Sequence, residues 1–125
     1  MTQSRRTAQR LAIRETLSQA SGPLSVQEIL EAGQTRVEGL GQATVYRYLK
    51  ALEEEGWIVR STVAGETAVY EVSDKPHHHH FHCRVCERVF DVPGCPIETE
   101  SSVPKGFHVT GHEVILYGEC AGCRG

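Results

Sequence analysis

Apolar positions recur with two different periods along the chain, and the change of period divides it. In residues 7–20, Ile13, Leu17 and Ala20 fall at helical spacing while Arg10 and Arg14 share another face, which predicts an amphipathic helix with a basic side. Ser21-Gly22-Pro23 ends it, and Ser25-x-x-Glu28 is a capping box opening a second short helix with Val26, Ile29 and Leu30 turned inward. Glu38-Gly39-Leu40-Gly41 leads into a third helix, about 42–55, that stops at Gly56. Its buried stripe is Val45, Leu49 and Leu52, which leaves Gln42, Tyr46, Arg47 and Lys50 to face outward. Residues 57–63 and 66–72 are then rich in β-formers and meet at Ala64-Gly65, as a hairpin. Three helices followed by a hairpin describe a winged helix; the plainer alternative is a small helical domain with an incidental hairpin.

Ser73-Asp74-Lys75-Pro76 is a polar stretch closed by proline, which suits a hinge. Beyond it, 81–83, 89–92, 107–110 and 114–117 read as short strands, with a brief helix near 96–103. The expected fold is α+β: a winged helix-turn-helix domain over 1–72, a hinge at 73–76 and a small α/β domain over 77–125.

The chain has 125 residues and 39% apolar content, enough for one compact domain or two very small ones, which a structural metal or a dimer interface would help to stabilise. The net charge of −3 argues against coating nucleic acid through bulk charge, but the average hides a gradient. Residues 1–60 hold eight of the thirteen Lys/Arg against seven acids, and the first fourteen carry Arg5, Arg6, Arg10 and Arg14 with no acid; the remainder has five basic residues against nine acids. The basic helical end and the acidic end are therefore expected to meet different partners. A basic, hydrogen-bonding patch of Gln42, Tyr46, Arg47 and Lys50 suits a helix entering a DNA major groove, and Glu53, Glu54 and Glu55 follow only after it. No signal-peptide core or membrane-length apolar run is evident, so a soluble, cytoplasmic protein without a membrane partner is expected.

Residues 77–86 change the picture most, because they place five histidines and two cysteines in ten positions. Imidazole and thiolate bind borderline and soft divalent metals. Cys83-x-x-Cys86 and Cys120-x-x-Cys123, 33 residues apart, can close one tetrahedral four-thiolate site with a structural role for Zn2+. A redox pair or buried free cysteines account for two matched pairs less well, and Cys95, outside the pattern, reads as an ordinary small residue. A closed four-cysteine site has no room for the histidines, which imply at least one more metal position. In an extended strand His78, His80 and His82 point to one side and His77 and His79 to the other. Glu71, Asp91 and Glu98 offer oxygen, and His108 and His112 further nitrogen. An expression tag is normally terminal, whereas this run is internal.

Taken together, Ala43-Thr44-Val45-Tyr46-Arg47, the histidine run before Cys83-x-x-Cys86, and Leu116-Tyr117-Gly118-x-Cys120-x-x-Cys123 resemble the ferric uptake regulator (Fur) family over nearly the whole chain. The resemblance implies a dimeric, metal-sensing bacterial transcription factor, with an N-terminal winged helix and a metal-binding dimerisation domain over 77–125. It implies structural zinc at Cys83, Cys86, Cys120 and Cys123, a regulatory hinge site at Glu71, His78, His80 and Asp91, and an additional site at His77, His79, Glu98 and His112. DNA contacts then fall to Tyr46 and Arg47, and to Arg5, Arg6 and Arg10. Three departures stand out. Pro23 occupies the place of a further hinge-site histidine, so that the hinge site is either a four-ligand one or recruits Glu66 or another wing residue; Ala64 and Ser73 stand where zinc sensors carry aspartate and cysteine; and 93–106, with Pro96 and Pro104, is short for a dimerisation helix.

The implied function is repression of metal-uptake genes by a homodimer on double-stranded operator DNA, with no organic substrate. Zn2+ and Fe2+ are both open as the regulatory ion, with Mn2+ behind them, since two histidines with two carboxylates suit iron or manganese and three histidines with one carboxylate suit zinc. A peroxide-sensing repressor is an alternative. So, from other classes, are a metal-storage protein and a zinc enzyme using Glu98 or Glu113 as acid or base. His82 has no assignment.

Overall fold

The computed structural model describes residues 4–63, 67–95 and 100–124 and divides between Asp74 and Lys75 into two units. In the first, Ser4 caps α1 (Arg5–Gln19) by accepting the Thr7 N–H at 3.1 Å, so the helix begins two residues ahead of the periodic stretch and carries Arg5 and Arg6. Ser25 and Glu28 form a reciprocal capping box on α2 (Val26–Gln34), with bonds of 3.2 and 3.0 Å, a device typically contributing about 1 kcal/mol. The third helix, α3 (Gln42–Glu54), starts at Gly41 without a side-chain cap.

Strands β1 (Ile58–Val63) and β2 (Thr67–Val72) pair antiparallel, Ile58 opposite Val72; Ala64, Gly65 and Glu66 lie outside the described residues. Leu24 and Tyr70 exchange backbone bonds of 2.9 and 2.8 Å, which pin the segment after Pro23 to β2. Ile13, Leu17, Val26, Ile29, Leu40, Val45, Tyr48, Leu49, Leu52, Ile58 and Tyr70 form one buried cluster. Each such side chain stabilises by roughly 1.5–3 kcal/mol relative to exposure, so this unit has a core of its own. Arg14 supports it from the rim, donating to the Tyr48 hydroxyl at 2.6 Å and stacking on Trp57.

The second unit is a three-stranded sheet in the order β4–β3–β5, from β3 (His78–Cys83), β4 (Val89–Pro93) and β5 (Ile115–Gly118). Central β3 runs antiparallel to β4 and parallel to β5. β5 approaches β3 closely at Gly118, where a Cβ would make a tight 3.2 Å contact with the Phe81 ring. Residues 107–110, expected as a strand, form none. Phe107 instead closes a turn, its N–H donating to Pro104 at 3.1 Å with Gly106 at φ +88°. The brief helix expected near 96–103 is a 3-10 turn at Glu100–Ser102, with 96–99 outside the described residues. A final turn, α4 (Ala121–Arg124), follows β5. Among the described residues of this unit the buried set is Cys83, Val89, His79 and His82, with Cys83 alone fully buried. Two of the four are imidazoles, so apolar burial alone is a weak source of stability here.

Candidate metal centres and nucleic-acid interface

The parallel pairing of β3 with β5 sets Cys83 opposite Gly118, and Arg84 N–H donates to Gly118 at 2.8 Å, so the two C-x-x-C segments meet. The four sulfurs of Cys83, Cys86, Cys120 and Cys123 lie within 4.8 Å of one another, Cys86 and Cys120 at 3.9 Å. A tetrahedron of Zn–S bonds of about 2.3 Å has edges of about 3.8 Å, so the spacing and the donor chemistry both fit zinc. The N–H groups of Cys86 and Cys120 each donate to Cys83 Sγ at 3.4 Å and hold that thiol down to about 6. The Cys120 thiol, with burial second, pushes Cys123 up to about 12. Crowded sulfurs thus resist ionising together, a conflict that a divalent cation removes. Glu87 closes the first knuckle at φ +66° and its carboxylate meets His82 Nε2 at 3.1 Å. His82 is therefore buried beside Tyr117 and engaged outside all three metal groups.

On one face of β3, His80 pairs directly opposite Asp91 on β4. His78 and His80 Nε2 stand 3.5 and 3.8 Å from Asp91 Oδ1, which accepts no hydrogen bond among the described residues, while Oδ2 holds Lys75 Nζ at 2.6 Å. His78 Nδ1 meets the Pro76 carbonyl at 2.7 Å; a carbonyl only accepts, so Nδ1 carries the proton and Nε2 is the ligand atom. An unsatisfied carboxylate oxygen between two ring nitrogens fits a divalent cation. Glu71 lies on β2 in the first unit.

Across the strand, His79 is only 3% exposed, and its Nε2 lies 3.0 Å from His77 Nε2 and 3.2 Å from His112 Nε2. Burial first, then the neighbouring imidazoles His77 and His112, lower its pKa and keep it neutral with a lone pair to offer. Glu98 is outside the described residues. The position next to these rings is taken by Cys95, whose Sγ is 3.1 Å from His112 Nε2. Cys95 has no recognisable spacing partner in the sequence. What locates it is register, since Pro93 pairs with His78 and the chain leaves β4 beside His77. His108 is exposed and belongs to none of the three groups.

On the first unit, Gln42, Tyr46, Arg47 and Lys50 are all exposed on α3, Tyr46 by 51%. A groove of about 500 Å³ lies between α1 and α3, lined by Arg6, Arg10, Thr44 and Arg47 among others, with Arg10 stacked on the Tyr48 ring; Arg5 is exposed one residue before Arg6. A second, of about 460 Å³, lies between α3 and the hairpin and adds Arg60 to Tyr46, Arg47 and Lys50. Sequence pattern does not single out Arg60, because β-alternation alone does not say that its side of β1 faces α3. Glu53 borders this groove as well, closer to the basic patch than its place in the sequence suggests.

A model of the ferric uptake regulator family matches residues 1–117. The ferric uptake regulation protein of Campylobacter upsaliensis is 38% identical over 88 residues, 68% of this chain and 56% of that protein, so the match spans little more than half of that relative. Its counterpart from Escherichia coli (strain K12) is 31% identical over 119 residues, 92% of this chain and 80% of the relative. The structure of the Vibrio cholerae ferric uptake regulator aligns with a TM-score of 0.73 at 30% identity, covering 96% of this chain and 92% of that one. With the winged helix, the four-cysteine cluster and a family match over nearly its whole length, the chain belongs to the ferric uptake regulator family.

Proposed function

We propose that the protein is a metal-responsive transcriptional regulator that represses metal-uptake genes as a homodimer on double-stranded operator DNA, working in the cytoplasm and without turning over a substrate. The observation that carries this reading is Asp91 Oδ1, left without a hydrogen bond among the described residues and lying between His78 and His80 Nε2. Residues 1–72 serve as the DNA-binding domain, 73–76 as the hinge and 77–125 as the dimerisation domain. The family resemblance adds Glu71, at the end of the wing, to the ligands, so that metal occupancy sets the position of the DNA-reading helix. When bound, a divalent cation supplies the charge that lets these donors converge.

The DNA-facing surface supports the reading independently. Gly41 leaves the first N–H groups of α3 without a side-chain cap, and further along the helix Arg47 and Lys50 line a groove with Arg60. Uncapped N–H groups and cations together favour phosphate. For the dimer, β5 is an edge strand with Leu116 and Tyr117 more than two-fifths exposed, which suits pairing with a second copy. Zn2+ at the cysteines is structural. Zn2+ and Fe2+ both remain open as the regulatory ion, and among the structural relatives one is named a zinc uptake regulator, at 31% identity and a TM-score of 0.55.

The test is selection of duplex DNA by the full-length protein with buffered zinc, iron(II) or manganese, followed by salt titration. Arg60→Ala is expected to weaken binding by about tenfold across sequences and to lower the salt slope by about one, the signature of a lost phosphate contact. Arg47→Ala is expected to relax sequence preference as well. If no duplex is selected with any of the three metals, the regulator reading fails.

A further inference from the structure

The geometry points to Cys95 as the fourth ligand of the His77, His79 and His112 site, which makes this a three-imidazole, one-thiolate centre selective for zinc over iron(II) and manganese. The inference rests on the reading of the protein as metal-responsive and names the ion for one of its sites. Family resemblance supplied a carboxylate, Glu98, for this position, and a thiolate there changes the chemistry.

Four ligand atoms, one from each residue, lie within 4.8 Å of one another. His79 Nε2 faces His77 Nε2 at 3.0 Å and His112 Nε2 at 3.2 Å, while His112 Nε2 also faces Cys95 Sγ at 3.1 Å. A ring nitrogen has one in-plane site, carrying either a proton or a lone pair. His79 and His112 each confront two neighbours with that single site, so hydrogen bonds alone cannot align with all three contacts. A cation at the centre accepts a lone pair from each. Tetrahedral zinc, with Zn–N of about 2.0–2.1 Å and Zn–S of about 2.3 Å, needs ligand separations of about 3.3–3.6 Å, a few tenths beyond those seen.

Burial strengthens the case. His79 is 3% exposed, and the partners its ring nitrogen faces are these same donors. A soft sulfur beside imidazoles favours zinc, whereas carboxylate and water suit manganese and a mixed nitrogen–oxygen set suits iron(II). The two histidine faces of β3 then differ in ion preference, because the other face offers oxygen through Asp91.

The experiment uses the full-length protein with its four-cysteine site filled by zinc and confirmed by metal content, titrated with Co2+ and then with Zn2+. Wild-type protein is expected to gain a near-ultraviolet sulfur-to-cobalt charge-transfer band on the added equivalents, and added zinc is expected to erase it. Cys95→Ser should lose the band and weaken the added zinc by about tenfold, with the first zinc retained. Cys95→Asp should keep a cobalt site without the band and narrow the preference for zinc over manganese. A band of equal intensity in Cys95→Ser, or no band in wild type, overturns the assignment. Failure of the regulator reading shows separately, as DNA binding that ignores metal in a protein that still displays the band.

Discussion

Cys83→Ser is expected to cost the protein one zinc per chain and the folded state of residues 75–125, while the helical unit keeps its own core. The asymmetry follows from burial: the first unit encloses eleven clustered core residues, whereas the described residues of the second bury only Cys83, Val89 and two histidines. Cys83 also ends the central strand, and the N–H groups of Cys86 and Cys120 both converge on its sulfur. Serine offers a hard, rarely ionised oxygen in its place and leaves three thiolates for zinc. Calorimetry of the full chain should show the transition of the second unit lowered by more than about 10 °C or abolished, with that of the first unit preserved. A chelator applied to wild type should reproduce this.

Proton linkage gives a second readout of the same site. Cys83 has its pKa lowered to about 6 in the metal-free fold, so its contribution to stability is complete above the ordinary thiol range and is lost as pH falls toward 6. Cys123 is raised to about 12, so its contribution is present below the ordinary range and is lost as pH rises toward 12. Zinc must displace the Cys123 proton at neutral pH. Loading therefore releases acid, and affinity falls as pH falls.

Asp91→Ala carries the second largest expected effect, the loss of metal-stimulated DNA binding with metal-free affinity and the four-cysteine zinc unchanged. A coupling of the usual size, about 5–150-fold in affinity, is what this substitution should remove. Among the described residues of the second unit, this carboxylate is the only oxygen donor grouped with His78 and His80, and no hydrogen bond satisfies its Oδ1 there. Because Lys75 loses its 2.6 Å partner in the alanine variant, Asp91→Asn serves as the companion that keeps shape and removes charge. Anisotropy titrations of labelled duplex, with and without metal, compare the three proteins. A full metal response in both variants would exclude Asp91 from the regulatory site.

Local rules made much of this legible from residues alone. The helical stripe of Val45, Leu49 and Leu52, the Ser25–Glu28 box and the two β-rich runs each depend on neighbours within a few positions, and each formed as expected. The cysteine quartet is readable for a different reason, since two matched C-x-x-C pairs in one short chain have little use except to hold a metal. What escaped depends on pairing between distant segments. Cys95 reaches the histidines only through the His78–Pro93 register, Arg60 joins α3 only through the set of the hairpin, and residues 107–110, expected as a strand, follow a turn closed by Phe107 N–H on the Pro104 carbonyl. Tyr48, two residues from Tyr46 and easily taken for its surface companion, is buried under Arg10 and Arg14.

Metal-gated DNA recognition is tested most directly by reciprocity: the affinity of the full-length protein for its regulatory metal, titrated with and without operator DNA, at fixed salt and with the structural zinc in place. Metal and DNA that favour one conformer must strengthen each other by the same factor, so the duplex should raise metal affinity as much as metal raises duplex affinity. Identical metal affinities in the two titrations would contradict it.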